Sequence, residues 1–176
     1  MSVVTEHLEQ RGAVFEVLPH RQAYTSMEEA RTLGVDADEV LKTLAVRTGP
    51  SYVLVVIPAA RRLDLQLVRE ALGDNHARLA SEEELDRDFA DYQLGGLPPL
   101  GALVGANVFV DPEVLGHGTV VFAAGTQTES AGLPRGRQSR LAGRPGTVAR
   151  PADGHRGAGQ QRRWQRPPST PWSSSG

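Results

Sequence analysis

Lys42 is the only lysine in a chain that carries eighteen arginines, so it leads the residues whose type could do chemistry. A compact ammonium on a flexible stem can enter a tight site, address one oxygen and give up its proton when desolvated. Drift from lysine to arginine in a GC-rich genome would leave the same solitary survivor, so composition alone leaves the role of Lys42 open. Cysteine is absent, which excludes disulfides, thiolate metal sites and a cysteine nucleophile. His7, His20, His76, His117 and His155 show no paired helical or finger spacing, so no metal site is expected.

Glycine supplies the second set of candidates. Gly95, Gly96 and Gly101 bracket Leu97-Pro98-Pro99-Leu100. Glycines there can let the main chain approach a ligand and offer N–H donors to a carbonyl or oxyanion, while Pro98 and Pro99 stiffen the loop. An ordinary connection has the same composition. Gly125 has the same two readings, and Thr126 and Thr128 beside it are candidates for setting the size of a pocket. Tyr24 and Thr25 can line a site or orient a water, and His20 offers a base near neutrality. Each also has a plain structural role: a rim aromatic, a helix cap and a surface histidine.

The elements that must position these residues are legible as patterns. Val3 to Arg11 is a short amphipathic helix ended by Gly12. Ala13 to Leu18 is a strand closed by Pro19. Thr25 or Ser26 caps a helix over Met27–Leu33, with acids in its first turn and Gly34 at its end. Val40–Arg47 and Tyr52–Ile57, separated by Gly49-Pro50, make a central β-hairpin, which puts Lys42 half-buried on a central strand. Leu63, Leu65, Leu67, Val68 and Leu72 mark a helix stopped by Gly73. Ser81 and Glu84 form a capping box for another. Gly95 to Gly101 cannot be helical, and Asn107–Asp111 and Thr119–Ala123 are two more strands. Runs of strands separated by helices predict an α+β fold, with a mixed sheet flanked by helices.

Charge divides the chain. Residues 1–130 hold ten basic and twenty acidic side chains, whereas residues 131–176 hold nine arginines and one acid, Asp153. An acidic body argues against coating nucleic acid without regard to sequence, though not against docking one nucleotide end in a local pocket. Residues 131–176 lack apolar periodicity and are rich in Gly, Pro and Arg. They are expected to form a disordered tail behind one domain spanning residues 1–130. A basic arm for RNA is one reading. Translation of GC-rich DNA out of frame is the other, and it is favoured because selected basic arms mix Lys with Arg. The start of the chain has no basic region followed by an apolar stretch, and Tyr52 to Ala60 is too short to span a bilayer, so a cytoplasmic protein without membrane contact is expected.

Val40-Leu41-Lys42-Thr43-Leu44, followed by Gly95-Gly96-Leu97-Pro98-Pro99-Leu100-Gly101, resembles the YbaK/ProX family of aminoacyl-tRNA editing domains. His20 to Thr25, Ile57-Pro58-Ala59 with Leu63-Asp64, and Ala124-Gly125-Thr126 are similar to further family features in the same order. The resemblance covers most of residues 1–130 and implies a partly barrel-like sheet and a deacylase that hydrolyses the ester of a mischarged tRNA. Its substrates would be small residues such as Ala or Cys on proline tRNA, its partners that tRNA and a synthetase, and no metal or organic cofactor is implied. It also implies a catalytic role for Lys42. Tyr24, Thr25, Gly95, Gly96, Pro98, Pro99, Gly101 and Gly125 become candidates for binding the substrate. A binding module that keeps the pocket without turnover is the alternative, and a damaged product with little function is a third reading. Oligomeric state and the identity of the amino acid stay open.

Overall fold

The computed structural model describes residues 2–134, 144–145 and 149–151. Helix α1 (Val3–Gln10) is capped by Ser2, whose side chain accepts from the Thr5 amide, and it buries Val4 and Leu8. Strand β1 (Glu16–Pro19) is shorter than the pattern predicts, beginning after Phe15. Helix α2 (Ser26–Leu33) has Thr25 as its N-cap and Gly34, at φ 68°, as its left-handed stop. The central hairpin is β2 (Leu41–Thr48) and β3 (Ser51–Pro58), paired antiparallel from Leu41 with Pro58 to Thr48 with Ser51. A three-residue strand, β4 (Arg61–Leu63), follows at once and is not foreshadowed by the sequence, since Arg-Arg-Leu carries no alternation.

Asp64 caps α3 (Leu65–Leu72), accepting from the amides of Gln66 and Leu67. After β5 (Arg78–Leu79) comes α4 (Glu82–Asp88), where both reciprocal bonds of the Ser81–Glu84 capping box form, at 3.2 and 2.9 Å. The loop after it ends in a single helical turn, α5 (Gly101–Val104). Strand β6 (Asn107–Val110), a 3-10 turn over Pro112–Gly116, β7 (Thr119–Ala123) and β8 (Glu129–Pro134) complete the body. Two short strands, β9 (Arg144–Pro145) and β10 (Ala149–Pro151), lie beyond it.

The fold is mixed α+β. One sheet has the order β5-β2-β3-β6-β9, with β6 parallel to β3, and a second has the order β1-β8-β7. The two meet where Val40 bridges Val121, and the described strands do not close into a barrel. Strand alternation gives each sheet two faces. Leu41, Ala45, Leu54 and Val56 on one sheet and Val120, Phe122, Ala131 and Leu133 on the other pack into a shared core. Phe122 is the largest fully buried side chain among the described residues, and its truncation to Ala would cost about 3–5 kcal/mol. The opposite faces carry a cluster under α3, with Val46, Val55, Ile57 and Val68, and a cluster at the seam, with Ala30, Val40, Ala59 and Val121.

The expected boundary after residue 130 is displaced. β8 runs through it, and Ala131 and Leu133 are fully buried while pairing with Phe122 and Val120. Four strand residues disappear in the average composition of the 46 that follow residue 130, and pairing with β1 on one edge and β7 on the other buries Ala131, Gly132 and Leu133. Ala149–Pro151 also pair with β4, against the expectation of disorder at those positions. The remainder of the predicted tail lies outside the described residues.

Candidate functional site

Lys42 lies on β2 opposite Ile57, two residues from the seam. The two-residue repeat turns it to the face of Val40 and Ile57, while Thr43 turns the other way, its buried Oγ1 without a hydrogen-bond partner among the described residues. The half-buried ammonium donates to the main-chain carbonyl of Arg61 at 2.7 Å. Among the described residues it forms no ion pair with a carboxylate, so the structural counter-ion that an acidic body could supply is missing. An ammonium has three donors, and one is used here. Desolvation, reinforced by the positive charge of Arg62, lowers its pKa from that of a free lysine.

The second candidate region gathers at one end of the β1-β8-β7 sheet. Gly95 is left-handed, with φ 81°, and a Cβ on it would stand 2.6 Å from the Tyr24 carbonyl oxygen. A Cβ on Gly96 would lie 2.9 Å from the Gly125 carbonyl group. Glycine is needed at both because two main chains pass against each other. The same three segments are cross-linked by glutamines. Gln93 donates its amide to Gly125 O and accepts from Gln127 N through its side chain, and Gln127 in turn donates to Leu94 O and accepts from Gln22. Tyr24 is 60% exposed at this junction, and its amide donates to Glu28.

The structure therefore brings Tyr24, Gly95, Gly96 and Gly125 together. Thr25 adjoins them, but its hydroxyl accepts from Glu28 N as the cap of α2. Pro98 and Pro99 are buried where the loop turns inward. Gly101 belongs elsewhere: a Cβ on it would collide with Ala106 O at 2.2 Å and Val108 Cγ2 at 2.6 Å. It starts α5, so its small size serves packing against β6 and the expectation of a wholly non-helical loop through Gly101 is corrected.

Sequence reasoning missed two features. The main-chain carbonyl of Arg61 holds Lys42, and no residue-type pattern announces a carbonyl. Glu29 is 4% exposed on α2, its carboxylate 2.5 Å from Ser130 Oγ, and Ser130 is in turn 2.8 Å from His20 Nε2. Burial raises the pKa of Glu29, opposed by the Ser130 hydrogen bond and by His20. The signal was available: Glu29 is one helical turn before Leu33 and adjoins Ala30, so a carboxylate occupies the edge of an apolar stripe.

This combination of a seam lysine and a glycine-on-glycine junction within a mixed sheet can be compared with known proteins. The model of the aminoacyl-tRNA editing domain matches residues 20–134, well over half of the chain. The chain belongs to this family of editing domains. The editing domain is also 32% identical over 85 residues to the proline–tRNA ligase of Thermosipho melanesiensis (strain DSM 12029 / CIP 104789 / BI429), a match covering 48% of this chain and 15% of the ligase. Its fold is shared with the crystal structure of hypothetical protein APE2540, with a TM-score of 0.75, 26% identity and coverage of 84% of this chain and 99% of that one. It is shared too with a candidate trans-editing enzyme for prolyl tRNA synthetase, with a TM-score of 0.74, 22% identity and coverage of 85% and 99%. The family and α+β architecture implied by the Lys-Thr-Leu strand and the Gly-Pro loop are thus borne out.

Proposed function

We propose that this editing domain is an aminoacyl-tRNA deacylase acting in trans, which hydrolyses the ester of a tRNA carrying a wrong, small amino acid. The observation that carries this reading is Lys42: a desolvated ammonium that, among the described residues, has one main-chain partner and two donor positions left over, on a family domain. Those donors suit the terminal phosphate or ribose of the tRNA, and holding the substrate is the role assigned to Lys42. Gly95, Gly96 and Gly125 allow a close main-chain approach, and Tyr24 supplies an exposed aromatic beside them. Water attacks the ester with help from the substrate's own groups and main-chain donors, which a fixed geometry makes effective.

Alanine or cysteine on proline tRNA is the proposed substrate, supported by the likeness to a proline–tRNA ligase. A synthetase pocket separates an amino acid from a smaller apolar one by only about 1–3 kcal/mol, so a second sieve has a purpose. The partners are the mischarged tRNA and the synthetase that produces it, in the cytoplasm. The acidic balance of residues 1–130 confines tRNA contact to a local pocket.

The test is incubation of the full chain with alanyl-, cysteinyl- and seryl-tRNAs, following release of the amino acid. Release from at least one, faster than spontaneous hydrolysis, is expected. Binding without release would replace the deacylase by the non-catalytic module.

A further inference from the structure

His20, Ser130 and Glu29 come from three separate elements and meet in a continuous hydrogen-bonded chain. His20 Nδ1 lies 2.7 Å from Arg21 O, His20 Nε2 lies 2.8 Å from Ser130 Oγ, and Ser130 Oγ lies 2.5 Å from Glu29 Oε1. Ser130 is fully buried, and Glu29 is nearly so. A carbonyl oxygen only accepts, so Nδ1 carries a proton. Two arrangements then satisfy the other contacts. In one, an imidazolium Nε2–H donates to Oγ and the hydroxyl donates to the Glu29 carboxylate. In the other, the Glu29 carboxyl O–H donates to Oγ and the hydroxyl donates to a neutral Nε2.

Both arrangements contain the same number of protons and the same net charge. They interconvert when the Nε2 proton passes to Oγ as the Oγ proton passes to Oε1, so nothing is gained or lost. We propose that Glu29, Ser130 and His20 form a proton relay whose function is to position the segment His20–Thr25, and with it Tyr24, against the Gln93–Gly96 loop. Ser130 is the positioning residue, acting through His20. Loss of the shared proton would leave one hydroxyl hydrogen for two acceptors, and one of the close contacts would open.

The other charged groups nearby do not compete for this proton. Glu28 is engaged by the Tyr24 amide, and Glu129 points to the other face of β8 by strand alternation. Arg21, Arg31 and Glu16 are exposed. The neighbouring main-chain bonds, His20 N to Thr128 O and Ala23 N to Gln127 O, tie the same segment to the turn after Gly125. Displacement of His20 is therefore passed to the junction that carries Tyr24.

The positioning role rests on the deacylase reading; the relay does not. The full chain labelled with ¹⁵N-histidine, with His20 assigned by His20→Gln, should show Nδ1 protonated at neutral pH and an Nε2 resonance between its protonated and unprotonated limits. Ser130→Ala and Glu29→Gln should each move Nε2 to one limit. An unprotonated Nδ1, or an Nε2 resonance that neither variant moves, would overturn the relay. Ser130→Ala should also raise KM for the mischarged tRNA on the order of tenfold, with a smaller change in kcat, and Ser130→Thr should restore it. An unchanged KM in a folded Ser130→Ala variant would overturn the positioning role. If Ser130→Ala does not fold, Glu29→Gln decides both parts: an unchanged KM there would overturn the positioning role. A wild-type chain that shows the relay but releases no amino acid would count against the deacylase and against the positioning role, not against the relay.

Discussion

Two cations share strand β2, and their surroundings differ at every level. Lys42 faces the seam side, while Arg47, an odd number of residues further on, faces the shared core. Arg47 donates to Gly49 O at 3.0 Å and to the Tyr52 hydroxyl at 2.8 Å, and its guanidinium stands 4.9 Å from the centre of the Tyr52 ring. Asp88 and Glu84 supply negative charge at 3.7 and 3.9 Å, and Tyr52 passes its own proton toward Asp88. Among the described residues Lys42 has one carbonyl and the repulsion of Arg62. A cation surrounded by complementary side chains stabilises the end of a hairpin. A cation buried without them costs stability, a cost that the proposed substrate would offset at Lys42.

The largest expected effect is on catalysis. Lys42→Ala should lower amino-acid release on the order of a hundredfold or more, while stability changes by no more than about 1 kcal/mol, since one main-chain hydrogen bond is lost and one desolvated charge relieved. Lys42→Arg should not restore activity, because the planar fork needs more room than the site of a single amine. A folded and active Lys42→Ala variant would erase the contrast between the two cations.

Next comes the glycine junction. Gly95→Ala combines a left-handed φ with a Cβ 2.6 Å from Tyr24 O, so a loss of about 1–3 kcal/mol is expected in chemical denaturation, with activity falling as the loop shifts. An unaltered denaturation midpoint would show that the loop is freer than its packing indicates. Arg47→Met should cost about 0.5–1 kcal/mol from the cation–π contact alone and leave deacylation intact. A strong loss of activity in a stable Arg47→Met variant would place both cations in the substrate site.

The smallest effect is read through pH. The folded pKa of Lys42 lies below its unfolded value of 10.5, so its contribution to stability is present above 10.5 and lost as pH falls through the folded value. At neutral pH the charged amine is a cost, and Lys42→Met should raise the melting temperature slightly there, with the difference shrinking as pH rises. The sign is opposite for Glu29. Its folded pKa lies above 4.5, so its contribution is full below 4.5 and lost as pH rises through the folded value. Glu29→Gln should therefore flatten the acid side of the stability profile. A Lys42→Met variant whose melting temperature tracks wild type at every pH would show that the amine carries no burial cost.

Local signals were legible where a residue type has one mechanical use. Thr25, Ser81 with Glu84, Gly34 and Gly73 marked helix ends, and the β-branched run after Gly49-Pro50 marked the hairpin. The same reasoning could not separate Gly101 from Gly95. Both are glycines in one loop, yet one is fixed by Val108 and Ala106 behind it and the other by Tyr24 across a gap in sequence. β4 and the strand residues after 130 were missed because three or four residues give no period that composition can reveal.

The sequence by itself determined the family pattern, the α+β order of elements and the half-buried place of Lys42, since these depend on periodicity, caps and turns within a few residues. Tertiary structure decided that Lys42 is held by a carbonyl rather than a carboxylate. It also decided that Gly95 and Gly96 meet Tyr24 and Gly125, and that Glu29 reaches Ser130 and His20. Contacts over so many residues are set by how the two sheets meet at Val40 and Val121, and a strand's two-residue repeat assigns a side chain to a face without saying what the other strand brings there.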